Sequence, residues 1–337
     1  MISINGAAGL AAAGRMTTNA AHDKTCGGID GGACSDSRVR SNAEPRRVAL
    51  RRHLSVAAMR QAEPLLSSAG VRMPRLLYGT AWKAEATPGL VAAALRAGFR
   101  GLDTACQPKH YHEAGVGEGL MAADAPPREA LYLQTKFTPV SGQDVTRLPY
   151  DLAAPLAVQI QQSFATSLRN LRTAYLDALV LHSPLASRSQ TLLAWHTMEE
   201  LVARGDVRQL GISNCYALAE FDALYRAATI KPAVLQNRFY ARTRHDRELR
   251  AYCRAHDVVY QSFWTLTANP AALASSTVRI LAERHGRTPA QILFRYLTHI
   301  EVVPLSGTTS LDHMREDMAV FEFELETREC DAMSRLF

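Results

Sequence analysis

From Ser67 onward, short apolar runs alternate with longer stretches in which apolar residues recur every three or four positions. The runs read as strands buried on both faces, the longer stretches as helices with one buried face. Gly70-Val71-Arg72-Met73-Pro74 reads as a turn leading into a strand at 76–78. Thr87-Pro88 opens a helix, with Thr87 as N-cap and the proline in the first turn. Leu90, Val91, Ala94 and Leu95 share one face of it, and Gly98 ends it. Further strands are expected at 100–103, 131–136, 178–182, 209–213, 233–236, 258–262 and 302–304. Helices are expected at 155–171, 189–203, 217–227, 247–256, 271–285 and 289–297.

Roughly eight strands over about 250 residues is the size of one (β/α)8 TIM barrel, an α/β fold. An open doubly wound sheet is the weaker alternative, since no Gly-x-Gly-x-x-Gly turn follows the first strand. The expected organisation is a single barrel domain at 67–337 behind an extension at 1–60. That extension is rich in Ala, Gly, Ser, Asp and Arg and has little periodicity, so it reads as disordered. Arg51-Arg52-His53-Leu54-Ser55 resembles organellar targeting sequence, whereas Asp23, Asp30, Asp36 and Glu44 argue against it. Met59 is an alternative start.

The chemistry lies at the strand tips. Asp103 ends the second expected strand, Lys136 the third and His182 the fourth, and Tyr111 sits in the loop after Asp103. Titratable residues at the C-terminal ends of successive strands are where barrel enzymes place catalysis. Singly, each has a plainer reading: Asp103 as a helix cap, Lys136 as a solvated strand end, His182 as a core histidine. Together they supply an acid, an ammonium that lowers its pKa, a carboxylate that fixes the ammonium, and an imidazole that orients a carbonyl.

Asp, Tyr, Lys and His in this order resemble the catalytic tetrad of the aldo-keto reductase superfamily. The resemblance covers most of residues 67–325. Gly79-Thr80-Ala81-Trp82 resembles the family's Gly-Thr-x-Trp, and Gly211-Ile212-Ser213-Asn214 its Gly-(Val/Ile)-Ser-Asn. The resemblance implies NAD(P)H-dependent reduction of aldehydes or ketones, with Tyr111 as proton donor. It implies that Ser213, Asn214 and Gln236 hold the nicotinamide carboxamide and that Phe263 stacks on the ring. For Ser213-Asn214, a helix N-cap is the alternative, and for Phe263, core packing. Gly79, Thr80, Ser306, Thr308, Arg315 and Glu316 complete the expected cofactor set, around a Gly/Thr/Ser-rich turn and a helix start suited to phosphate.

The sequence also departs from that pattern. The usual tyrosine position is Pro108, so a short insertion precedes Tyr111, and His110 is the alternative donor. Leu305 and His313 stand where the family has a lysine and an arginine for the 2′-phosphate, with Arg315 as a substitute cation. NADPH is the expected cofactor and NADH use stays open, with NADPH favoured as His313 protonates. The chain ends soon after Leu325, which suggests an open or differently roofed pocket, and the long segment at 141–154 could form a lid. A nicotinamide-binding regulatory or redox-sensing barrel with little turnover is the alternative function.

Composition narrows the partners. The net charge is +6, without the basic block or aromatic-interleaved patch expected of a nucleic-acid binder. No apolar run is long enough for a membrane span. Six cysteines are scattered without metal-ligand spacing, so no metal site is expected, and free thiols fit a cytoplasmic setting. The expected partner is a small carbonyl compound; the oligomeric state is not legible.

Overall fold

The computed structural model describes residues 63–122 and 124–337. The expected extension at 1–60 lies outside the described residues. Strands β1 (Leu65–Leu66) and β2 (Arg72–Met73) form a short antiparallel hairpin. Eight parallel strands then close a barrel. They are β3 (Leu77–Gly79), β4 (Gly101–Asp103), β5 (Tyr132–Phe137), β6 (Ala178–Leu181), β7 (Leu210–Ser213), β8 (Val234–Arg238), β9 (Val259–Phe263) and β10 (Val302–Ser306), with β10 pairing back onto β3. The helices are α1 (Thr87–Ala97), α2 (Glu113–Leu120), α3 (Leu156–Leu171), α4 (Arg188–Ala203), α5 (Leu218–Ala227), α6 (Arg247–Ala255), α7 (Pro270–Leu273), α8 (Ser276–His285), α9 (Pro289–His299), α10 (Leu311–Met318) and α11 (Thr327–Ser334).

Alternation along the strands builds the interior in layers. On β5, Leu133 and Phe137 join the apolar layer between sheet and helices, while Tyr132 joins a separate cluster with Met73, Leu77, Ala178, Val234 and Val303. That second cluster is the barrel floor, which the hairpin seals through Met73. Gln261 Nε2 donates to Met73 Sδ at 3.3 Å, and Ser67 Oγ to Gln209 Oε1 at 2.6 Å. Above the floor the interior turns polar, with Gln134, Gln236 and Gln261 hydrogen-bonded to one another. Lys136 lies one step higher on the same face of β5 as Tyr132 and Gln134.

The expected strands all form, with ends shifted by a residue or two. The helix expected at 271–285 is two helices, because Ser275 Oγ accepts from Val278 N and starts α8 afresh. Thr87 is the first residue of α1 and not its N-cap; its Oγ1 donates to the Ala84 carbonyl of the preceding turn. The hairpin, α2 and α11 were not anticipated. Two-residue strands carry no periodicity, and the glycines of α2 mask its helical character. A Cβ at Gly117 would lie 2.0 Å from the Asn170 carbonyl oxygen, so glycine is what lets α2 approach α3.

Candidate active site

Asp103 and Lys136 meet at the centre of the barrel. Lys136 Nζ donates to Asp103 Oδ1 at 2.7 Å, to Oδ2 at 2.6 Å and to the Thr104 carbonyl at 2.8 Å. These three bonds exhaust the ammonium's donors. Gln134 Nε2 and Gln236 Nε2 both add to Asp103 Oδ1, at 2.7 and 2.9 Å. The pair is fully buried, and this ring of donors is what makes the burial of two charges tolerable. Burial pulls the Lys136 ammonium below the ordinary lysine value, and Asp103 opposes the shift. Thr80 belongs to this support. Its backbone N and its Oγ1 both donate to the Asp103 carbonyl, and it does not line the cleft.

Tyr111 and His182 stand above the pair. Lys136 Nζ is 5.4 Å from the Tyr111 ring centroid, and the Tyr111 and His182 rings meet edge-on at 6.1 Å. The expected lowering of the phenol pKa is not what the structure gives. Burial, and then the Asp103 charge, push it above the ordinary tyrosine value, because Asp103 neutralises the nearby ammonium. His182 moves well below the ordinary imidazole range, through burial first and then the charges of Lys136 and His110. It is a neutral ring at pH 7, and its Nδ1 lies 2.6 Å from Thr138 Oγ1. The Asn214 amide donates to the His182 carbonyl at 2.8 Å.

His110 also lines the cleft. Its ring lies against Trp82, with centroids 3.8 Å apart, and Trp82 N donates to its carbonyl. No residue of the segment at 141–154 lines the cleft. Gln107 Nε2 holds the Gly142 carbonyl, Gln143 Nε2 the Cys106 carbonyl, and Tyr150 OH the Thr138 carbonyl.

The far side of the mouth is built by β7 to β10. Ser213 Oγ donates to the Gln236 carbonyl at 2.7 Å, and Asn214 Nδ2 reaches Ser213 Oγ at 3.2 Å. Neither caps α5, whose N-cap residue is Ala217, so the capping alternative is set aside. Gln236 gives its side-chain amide hydrogens to Asp103 and Gln261, which leaves its side-chain oxygen Oε1 for a ligand. Gly79, Phe263, Ser306, Thr308 and Glu316 line the cleft as expected. Arg315 does not; it is exposed and paired with Asp312 at 2.8 Å. His313 lines the cleft, and on an α-helix a residue two positions on points about 200° away.

Three lining residues were missed from the sequence. Lys83 is buried, donates to the Gly307 carbonyl at 2.8 Å, and is lowered by burial to about 8. Asp317 accepts from Ser306 Oγ at 2.5 Å and is raised by burial to about 6. Arg238 ends β8. Only Lys83 carried a signal, as the charged neighbour of the Gly-Thr-x-Trp stretch.

A family model described as Aldo/keto reductase family matches residues 78–336. The chain belongs to this family. Among curated relatives it is 28% identical to aldo-keto reductase family 1 member A1 of Rattus norvegicus, over 81% of this chain and 90% of that protein. It is 32% identical to an aldo-keto reductase of Mycobacterium avium, over 79% and 86%. It is 30% identical to methylglyoxal reductase DkgA of Yersinia pestis, over 79% and 90%. A solved aldo/keto reductase from Brucella melitensis superposes with a TM-score of 0.70 at 24% identity, covering 82% of this chain and all of that one, and supports the fold. The family makes the chain an oxidoreductase and implies a nicotinamide cofactor.

The residues present fit such a cofactor. The cleft holds about 930 Å³, of the scale of a site for a large organic ligand. It runs from Asp103 and Tyr111 to His313 and Glu316. Polar groups for a carboxamide lie near the barrel axis, and cations lie further out at Lys83 and Arg238. Among the described residues no cluster of side chains has metal-binding geometry, and no helix is long and apolar enough to cross a membrane.

Proposed function

We propose that this chain reduces small aldehydes or ketones with NADPH or NADH, with Tyr111 as proton donor. The observation that carries the reading is the convergence of Tyr111 and His182 over the buried Asp103–Lys136 pair, 2.6 Å apart, at the mouth of the cleft. When bound, a reduced nicotinamide supplies the hydride for the carbonyl carbon. Ser213, Asn214 and the Gln236 side-chain oxygen orient its carboxamide, and Phe263 packs on the ring. We take the tautomer in which the Thr138 hydroxyl donates to His182 Nδ1 and the ring's hydrogen, on Nε2, meets the carbonyl oxygen. Tyr111 delivers its proton to that oxygen as negative charge builds there. Its raised pKa keeps it protonated at neutral pH, and Lys136 steadies the phenolate left behind.

At the adenosine end, Ser306, Thr308 and Glu316 offer mainly neutral or acidic groups, and Arg315 faces away. We therefore assign a modest preference between NADPH and NADH. The test is fluorescence titration with both dinucleotides, followed by turnover of methylglyoxal and an aromatic aldehyde. Binding with turnover is expected. Binding without turnover would favour the regulatory barrel, and no binding would overturn the proposal.

A further inference from the structure

Arg238 has a setting that no role above explains. It ends β8 two residues beyond Gln236, on the same face and about 7 Å nearer the mouth. It pairs in register with Phe263 on β9. Its guanidinium carbon lies 4.2 Å from the Trp264 ring centroid, and 5.5 and 5.9 Å from those of Tyr240 and Phe263. Among the described residues no carboxylate stands within ion-pair reach of it. Its Nε is buried without a hydrogen-bond partner. A guanidinium held in an aromatic nest with an orphaned N–H is costly until an anion completes it.

We propose that Arg238, braced by Trp264, anchors the diphosphate of the bound dinucleotide. The inference rests on the function proposed above. Gln236 marks the level of the nicotinamide carboxamide, and the first charged group met further toward the mouth is the diphosphate. In the barrel order β8 lies opposite β4, so the nicotinamide stands between Arg238 and Tyr111. A substrate anion at the reacting carbonyl is thus out of its reach. The adenosine end lies at residues 306–317, two strands away, which separates Arg238 from a 2′-phosphate. Lys83 faces the same groove from the β3 side, on the Gly307 carbonyl. Leu305 supplies no cation from β10, so Arg238 on β8 and Lys83 beyond β3 are the cations that face the groove.

The experiment is calorimetric titration of NADH, NADPH and ADP-ribose at two salt concentrations, into the unaltered protein and into Arg238→Met, Arg238→Gln and Arg238→Lys. Met and Gln should weaken all three ligands by a common factor of about 10–100, as expected for losing a charge-assisted hydrogen bond, and should flatten the salt dependence. Lys should recover part of the loss. Matching circular dichroism melts establish that the variants fold, and if Met fails to fold, Gln and Lys give the same reading. Unchanged affinities would overturn the assignment, as would weakening of NADPH alone. So would a raised KM for a carboxylate-bearing carbonyl with dinucleotide affinities intact. No dinucleotide binding by the unaltered protein would overturn this assignment together with the proposed function.

Discussion

The two halves of the barrel mouth are built on different principles. At the tips of β4 to β6, the charges of Asp103 and Lys136 are paired inside the protein, ringed by Gln134, Gln236 and Thr104, and buried. At the tips of β8 to β10 and just beyond β3, Arg238 and Lys83 have no carboxylate partner among the described residues, and Asp317 is propped by Ser306. The first half keeps the family's Asp, Lys and His, with Tyr111 displaced by a short insertion; the second departs from the pattern at Trp264, Leu305 and His313. Proton transfer needs atoms held within a fraction of an ångström, so its groups come locked. A flexible, multiply charged ligand can be gripped from any neighbouring strand, so its cations are free to move.

The sharpest way to break this contrast is Tyr111→Phe. If the β4–β6 half is the chemical end, the rate of carbonyl reduction should fall about 10²–10⁴-fold while dinucleotide affinity stays unchanged. His110→Ala should cost only a few-fold, since His110 rests on Trp82. Near-full turnover in Tyr111→Phe would hand the donor role to His110.

Lys136→Met tests whether the buried pair is locked as described. It leaves Asp103 charged, buried and without its cation, and such a change typically destabilises by about 3–5 kcal/mol. Chemical denaturation measures the loss. The damage should shrink when Asp103→Asn is combined with Lys136→Met, because the stranded charge is then removed. A loss unchanged in the double variant would mean that packing, and not charge, sets the cost.

Much of this half was legible in the sequence. Asp103, Lys136 and His182 each end a short apolar run, and the strand period fixes which way they point. The other half was harder, because its decisive facts are contacts between strands. Arg238 reads as the continuation of a strand, and only the fold sets Trp264 over it. Thr138 was invisible for the same reason, since its partner His182 lies 44 positions away. Arg315 and Thr80 were assigned from the family resemblance; each neighbours a lining residue without lining the cleft itself.

Thr138→Val probes positioning in the first half. The shape is kept and the His182 Nδ1 partner is lost, so the imidazole tautomer is no longer fixed. We expect kcat to fall about 10-fold, the scale of one hydrogen bond, with dinucleotide affinity unmoved. Serine at the same position should restore it. A purely structural threonine would instead change the melting temperature and leave kcat intact.

The smallest effect comes from the second half, through Asp317. Burial raises its carboxyl to about 6, with Ser306 opposing. Below that pH it is neutral; above it, a buried negative charge borders the adenosine end of the cleft. A 2′-phosphate is repelled by that charge and a ribose hydroxyl is not. The affinity ratio of NADPH over NADH should therefore rise a few-fold as pH falls from 7.5 to 5.5. The 2′-phosphate itself titrates near pH 6, and loss of its own charge works in the opposite sense. Asp317→Asn separates the two, since it removes only the carboxylate's contribution. The same proton governs stability. The folded state holds it more tightly than the unfolded chain, so its stabilising effect is complete below about pH 4 and lost as pH rises through 6. Asp317→Asn should accordingly stabilise the protein at pH 8, on the order of 1–3 kcal/mol, and leave it unchanged at pH 4. Leu305→Lys, one residue before the Ser306 that holds this carboxylate, should shift preference toward NADPH most strongly at pH 8, where Asp317 is charged. A shift of equal size at pH 5.5 would place the 2′-phosphate away from Asp317 and show that the adenosine end is read by other residues.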